Sequence, residues 1–135
     1  MRLAYSPTEN KGASTVAHLC HSNAYFIAPS TFPTAHSPGD YAQSHSEVMA
    51  SVSDLSIDSY DLVFAKNGLV LLRYSASGSH CGEPHNGIEA SGKKAKWHAA
   101  AIFEVEGGKI RGWRKEWDKV DMWSQLGWMR GGEYA

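Results

Sequence analysis

The sequence predicts an α+β fold in which a strongly curved antiparallel sheet packs against helices. Three observations carry that expectation. An apolar stripe of helical period runs through residues 38–52 behind a proline-led cap. Two pairs of β-patterned segments meet at Asn67-Gly68 and at Gly107-Gly108, and an acid-capped helical pattern ends at Gly127. At 135 residues the chain has the size of one ordinary domain. No linker or internal repeat divides it, so one domain over 1–135 is expected.

The elements follow in order. Residues 1–36 carry the weakest pattern. Thr8 in a capping position, with Val16, Leu19, Cys20 and Asn23 on one side, suggests a helix running toward His21. Gly12, Ser14 and Thr15 count against it as poor helix formers. Residues 24–28 read as a short buried strand, and Pro29, Pro33 and Pro38 mark the loop that follows. Ser37-Pro38-Gly39-Asp40 then places a capping serine before a proline, with an acid at the third helical position. Tyr41, His45, Val48, Met49 and Val52 share one face of the predicted helix over 38–52, and that face belongs on the sheet. His45 reads either as a core histidine with a satisfied ring nitrogen or as a pocket ligand.

From Asp54 onward the pattern is β. Residues 56–65 end at Lys66-Asn67-Gly68, a strong hairpin signal because Asn and Gly both tolerate positive φ. Residues 69–77 return with Val70, Leu72, Tyr74 and Ala76 on one face. A loop rich in Gly, His, Glu and Asn covers 78–93, and 94–106 and 109–117 form the second hairpin. Strands this long in a small domain must bend around what they cover. Asp118-Lys119-Val120-Asp121 is a near capping box for a last helix, in which Val120, Trp123 and Leu126 are neighbours.

The run Ala-Ala-Ala-Ile-Phe at 99–103 is apolar on both faces and removes side-chain volume from the middle of the sheet, while Trp97, Trp113 and Trp117 stand nearby. Small residues ringed by large aromatics leave concave space of the kind that takes a small molecule. The competing reading fills that space with Met49 or Tyr41.

A formal charge of -1 gives no surplus of cations to bind nucleic acid or an anionic membrane. No apolar run approaches the ~18 residues of a membrane span, and the start MRLAYSPTEN lacks a signal-peptide core. A cytoplasmic location is expected. Cys20 and Cys81 read as two free thiols. The histidine clusters at His18-Leu19-Cys20-His21 and at His80, Cys81 and His85 lack CxxC or HExxH spacing, so no metal is expected. The chain also lacks a nucleotide fingerprint, and no cofactor is expected.

Gly78-Ser79-His80-Cys81-Gly82-Glu83 followed by Gly87-Ile88-Glu89-Ala90-Ser91-Gly92-Lys93 resembles the G-T-H-x-G and G-I-x-P-T-G-K stretch of the SnoaL-like polyketide cyclases. The likeness continues through Ile102 to Ile110, through Trp117-Asp118, and through Gln125-Leu126-Gly127, covering about residues 54–127. It implies the cone-shaped α+β barrel shared with nuclear transport factor two and ketosteroid isomerase, often dimeric, with a shortened N-terminal cover here. A homodimer with an apolar small-molecule ligand is the implied assembly. The cyclases use a His and an Asp on their last two strands. Counting from the shared landmarks, those positions hold Ala101 and Lys115 in this chain.

Proton transfer beside a carbonyl needs a tuned base and a donor for the developing oxyanion. The candidate catalytic groups are His98, Lys115, Glu116 and Asp118. Tyr74, His45, Trp97, Trp113, Trp117 and Arg114 are the candidate substrate contacts. Each has a duller role open to it: Asp118 as a helix cap, Trp113 and Trp117 as packing. A two-residue turn at Gly107-Gly108 sets Ala101 opposite Arg114 and Ala99 opposite Glu116. A three-residue loop instead pairs His98 with Glu116. Three functions compete: an enzyme of the cyclase, isomerase or hydrolase kind, a carrier of a hydrophobic molecule, and a dimerisation module.

Overall fold

The computed structural model of the chain describes residues 1–129. A 3-10 helix, Ala13–Leu19, leads into β1, Cys20–Ile27; then follow α1, Pro38–Ser51; β2, Ser56–Lys66; β3, Leu69–Ser79; β4, Lys94–Glu106; β5, Lys109–Trp117; and α2, Lys119–Leu126. The strands form one five-stranded sheet in the order β1-β5-β4-β3-β2. The fold is α+β, with helices covering one face of a sheet that does not close on itself. Four strands are antiparallel neighbours, as expected, and β1 adds to the free edge of β5 in parallel.

The cap of α1 forms as its sequence predicts. Ser37 Oγ accepts from the Asp40 amide at 3.1 Å, and the Asp40 carboxylate accepts from the Ser37 and His36 amides. The apolar stripe buries Tyr41, His45, Met49 and Val52. Both hairpins turn on paired positive-φ residues, Asn67 with Gly68 and Gly107 with Gly108, which matches the right-handed twist of the strands they join.

The N-terminal segment differs from its expectation. No helix runs from Thr8 to His21. Gly12 adopts φ 106°, and the Thr15 hydroxyl accepts from the Lys11 amide at 2.8 Å, a local bond that competes with helical pairing. Only the short 3-10 helix results, and the strand expected at 24–28 starts earlier, at Cys20.

The register of β4 with β5 matches neither sequence-based alternative. The turn is the two-residue one, with Glu106 opposite Lys109 and Val105 opposite Ile110, but Glu104 then lies opposite Gly112. Arg111 is therefore an extra residue on β5, a β-bulge, and every pair beyond it is shifted by one. Ala101 faces Lys115, Ala100 faces Glu116, and Ala99 faces Trp117. Because side chains alternate, this parity turns Trp113, Lys115 and Trp117 to the helix-covered face and Arg114 and Glu116 to the other.

The loop after β3 is anchored. The Asp54 carboxylate accepts from the Ser79 amide at 2.7 Å and from its hydroxyl at 2.6 Å. His80 is fully buried. It accepts from Trp128 Nε1 through Nδ1 at 3.1 Å and so donates from Nε2 to the Glu83 carbonyl at 2.8 Å. The family-like His80 thus holds backbone, and a Cβ on Gly82 would collide with the Ala50 carbonyl. Among the described residues no helix is long and apolar enough to cross a membrane. Cys20 and Cys81 are free thiols.

Candidate active site

Under the helices lies a cavity of about 190 Å³, walled by Tyr5, His45, Trp97, Lys115, Trp117 and Met122 together with Phe32, Val48 and other residues of the same elements. The alanine run does not line it. Ala99 sits between Tyr74 and Trp117, and Ala101 between Leu72 and Lys115. Their methyl groups make room beside them for those longer side chains, so the space expected over the alanines is shared with a polar cluster.

That cluster is built around Lys115, which is 1% exposed. Its Nζ donates to Tyr5 Oη and to Tyr41 Oη, each at 2.8 Å. Tyr74 Oη donates to Tyr5 Oη at 3.0 Å. Since the Tyr5 oxygen accepts from both neighbours, its own hydrogen is left to donate to Tyr41 or to an oxygen in the cavity. Rings surround the nitrogen: Tyr41 at 4.9 Å, Tyr5 and Trp117 at 5.0 Å, and Phe32 at 5.6 Å from the ring centres. Among the described residues none of the ion pairs involves Lys115. Burial, opposed by the Tyr5 phenol, pushes its amine below the ordinary lysine range. Burial likewise lifts the phenols of Tyr41 and Tyr74 well above theirs.

His45 stacks on Tyr5 with ring centres 4.2 Å apart. Burial first, and the Lys115 charge second, push its pKa down to about 3, against the pull of a hydrogen bond to the Ala4 carbonyl. The imidazole is therefore neutral near pH 7, and its buried Nδ1 has no partner among the described residues. With the other nitrogen donating to Ala4, Nδ1 is an acceptor. Nε1 of Trp97 and of Trp117 is also buried without a partner there. These three nitrogens belong to residues that line the cavity but are themselves covered, so the surface the cavity presents is mostly apolar.

Of the residues singled out from sequence, Lys115, His45, Trp97 and Trp117 meet at the cavity. Tyr74 stands behind them and touches Tyr5. The rest are elsewhere. His98 and Glu116 are exposed on the opposite face of the sheet, beside Arg73 and Ala100, and pair with Ser75 and Ala100 and not with each other. Strand alternation and the bulge at Arg111 put them there. Arg114 is exposed beside Tyr25, to whose hydroxyl it donates at 3.3 Å. Trp113 is buried against Phe26, Tyr41 and Phe103, away from the cavity. Asp118 caps α2, accepting from the Asp121 amide at 2.9 Å. Sequence reasoning missed Tyr5 and Phe32, which come from the poorly patterned first 36 residues. Tyr41 was visible only as a core residue, although a tyrosine and a histidine one turn apart on a buried face are themselves a signal.

A sequence profile of the SnoaL-like polyketide cyclase family matches residues 1–126. A comparison with curated proteins finds no match. Among solved structures the chain is similar to IdmH of Streptomyces antibioticus, a candidate polyketide cyclase, with TM-score 0.73 and 22% identity over 93% of this chain and 94% of that one. It is similar to TsrD of Streptomyces laurentii, with TM-score 0.72 and 23% identity over 95% and 90% of the two chains. AclR of Streptomyces galilaeus, a candidate hydroxylase, gives TM-score 0.72 and 17% identity over 87% and 84%. At these identities the likeness is one of fold, and fold alone does not name a reaction.

The depressed pKa of His45 makes stability depend on pH. Its folded value of about 3 lies below the ordinary 6.5, so below about pH 6.5 the unfolded chain binds the proton more readily. The stability that neutral His45 brings is complete above that pH and is lost as pH falls toward 3, by roughly 3 kcal/mol at about pH 4. Thermal unfolding across this range should show a steeper loss in the native protein than in His45→Phe. Parallel curves would show that His45 titrates normally.

Proposed function

The chain belongs to the SnoaL-like polyketide cyclase family, and on that premise we propose that it is a small-molecule enzyme of the cyclase or isomerase kind acting on an apolar substrate that carries a carbonyl. The observation that carries this reading is the cluster of Lys115, Tyr5 and Tyr41 at the wall of the cavity. A carbonyl oxygen placed against Tyr5 Oη is polarised by the hydroxyl hydrogen that Lys115 and Tyr74, both donors to that oxygen, leave free. In an apolar enclosure such a donor stabilises the charge that develops on the carbonyl oxygen far better than water does. His45, stacked on Tyr5 and neutral near pH 7, is the acceptor in this reading: a turn of its ring brings Nδ1 to the cavity, where it takes the proton that leaves the carbon next to the carbonyl.

The size of the cavity supports a small substrate. A cavity of about 150 Å³ accepts one benzene ring, and the space here is about 190 Å³. A single ring, or the open chain that would close to one, fits that space. A carrier role is the alternative for the same cavity, and turnover separates the two.

We also propose that the protein is a homodimer, with the exposed apolar residues Leu62 and Phe64 of β2 and Ile102 of β4, which share the uncovered face of the sheet, in its interface. These are 50%, 52% and 40% exposed, and side chains of this kind clustered on one face support an association surface.

In a thermal-shift screen of single-ring ketones and aldehydes, binders should raise the melting temperature. With such a binder, Lys115→Met and Tyr5→Phe should each lower turnover by about a hundredfold or more while staying folded. His98→Ala and Glu116→Ala should keep full activity. A folded Lys115→Met variant that retains turnover would remove the mechanism, and binding without any turnover would favour the carrier. Sedimentation should find a dimer at micromolar concentration and a monomer for Phe64→Glu. A wild-type chain that stays monomeric throughout would exclude the assembly.

A further inference from the structure

We propose that Lys115 is a nucleophilic amine that captures an aldehyde or ketone in the cavity as a covalent imine. The inference rests on reading the cavity as the site of a carbonyl-bearing molecule, and it adds a covalent step that polarisation alone does not contain.

The environment of Lys115 is that of an amine held away from water. Its side chain is almost wholly buried, it contributes to the wall of an apolar cavity, and none of the described ion pairs includes it. A lysine kept only for packing would be replaced at less cost by Met or Leu, because burying an ammonium without a carboxylate is expensive. Counting donors separates the two protonation states. A neutral amine has two N–H bonds and one electron pair. The two hydrogens are both used, on Tyr5 Oη and Tyr41 Oη at 2.8 Å each, and the pair is left for a carbon electrophile. An ammonium in the same place has a third N–H that meets ring faces and no oxygen or nitrogen acceptor among the described residues. Desolvation in an apolar pocket is one established way to make a lysine nucleophilic, and the direction of its pKa shift agrees.

The surroundings also fit the later stages. Nζ bonds to the carbonyl carbon while the carbonyl π pair moves to oxygen, which takes a proton from a phenol. The nitrogen returns a proton to that phenol, giving a neutral carbinolamine. A second phenol proton goes to its hydroxyl, and oxygen leaves as water as the nitrogen pair forms the C=N bond, so amine, carbonyl and phenol give protonated imine, phenolate and water. No oxidant or reductant is needed, and Tyr5 and Tyr41 lie where such a relay needs them. The protonated imine is a cation. The four aromatic rings within 5.6 Å of Nζ stabilise it as they would an ammonium. Once formed, it acidifies the adjacent C–H bond. The phenolate takes that proton, which restores the phenol and gives an enamine carbon able to attack a second carbonyl of the same molecule and close a ring.

The test uses the full chain and a one-ring aldehyde that fits the cavity. The protein is incubated with benzaldehyde near neutral pH, the imine is reduced with sodium cyanoborohydride, and the benzylated lysine is located by peptide mass mapping. The expected result is an adduct on Lys115 exceeding that on exposed Lys93, Lys94 or Lys96 by about tenfold or more. Its loss is expected in Lys115→Arg. Because the mapping is done on the native chain, a poorly folding variant does not change the outcome. Label on the exposed lysines with none on Lys115 overturns the proposal. If benzaldehyde raises the melting temperature yet leaves Lys115 unlabelled, the covalent step is wrong and the non-covalent carbonyl site stands. If it neither binds nor labels, both readings fall.

Discussion

One extra residue decides what the cavity contains. Without the bulge at Arg111, the two-residue turn at Gly107-Gly108 would pair Ala101 with Arg114, and the helix-covered face of β5 would carry Arg114 and Glu116. With it, Ala101 pairs with Lys115, and that face carries Trp113, Lys115 and Trp117. The neighbouring strand accommodates the shift. β1 pairs with β5 through Cys20 and Ile110 on one side of the bulge and through Tyr25 and Gly112 on the other, with a matching irregularity between them. Gly112 lies under the Tyr25 ring, where a Cβ would collide with it.

The inward lysine then organises segments far apart in the chain. A buried amine must spend its hydrogens on acceptors or carry a large desolvation cost. Lys115 meets Tyr41 from α1 and Tyr5 from the N-terminal turns, and Tyr5 in turn receives Tyr74 from β3. Four elements therefore converge on two phenol oxygens. The aromatic side chains that complete the wall exclude water and keep the local dielectric low. That raises the cost of the charge on Lys115, and with it the chemical worth of the amine. His45 feels the same environment, and burial is the first cause of its staying neutral.

Much of the architecture was legible because it rests on local chemistry. The capping box at Ser37 and Asp40, the stripe from Tyr41 to Val52, the paired turns at Asn67-Gly68 and Gly107-Gly108, and the Asp118 cap all depend on residues within a few positions of one another. The site was legible only in part. Lys115, His45, Trp97 and Trp117 could be selected as residue types on buried-looking strands and helices. Their partners could not, since Tyr5 sits in a segment shaped by turns and side-chain bonds with no period to read. His98 and Glu116 were attractive because they stand beside the alanine run, yet alternation points them away from it. A bulge leaves no mark in composition, so parity on β5 could only come from coordinates. One clue was present: a lysine two residues from a tryptophan on either side, in a strand whose tryptophans must be buried.

Burial governs the Lys115 amine, and the titration of that amine reports on it without an intermediary. In protein with 13C-labelled lysine side chains, the Cε resonance of each lysine reports the protonation of its own nitrogen. One resonance, absent from Lys115→Met, should titrate clearly below the ordinary 10.5 while the exposed lysines titrate near it. A Lys115 resonance that titrates at or above that value would show a stable buried ammonium and rule out an amine governed by burial.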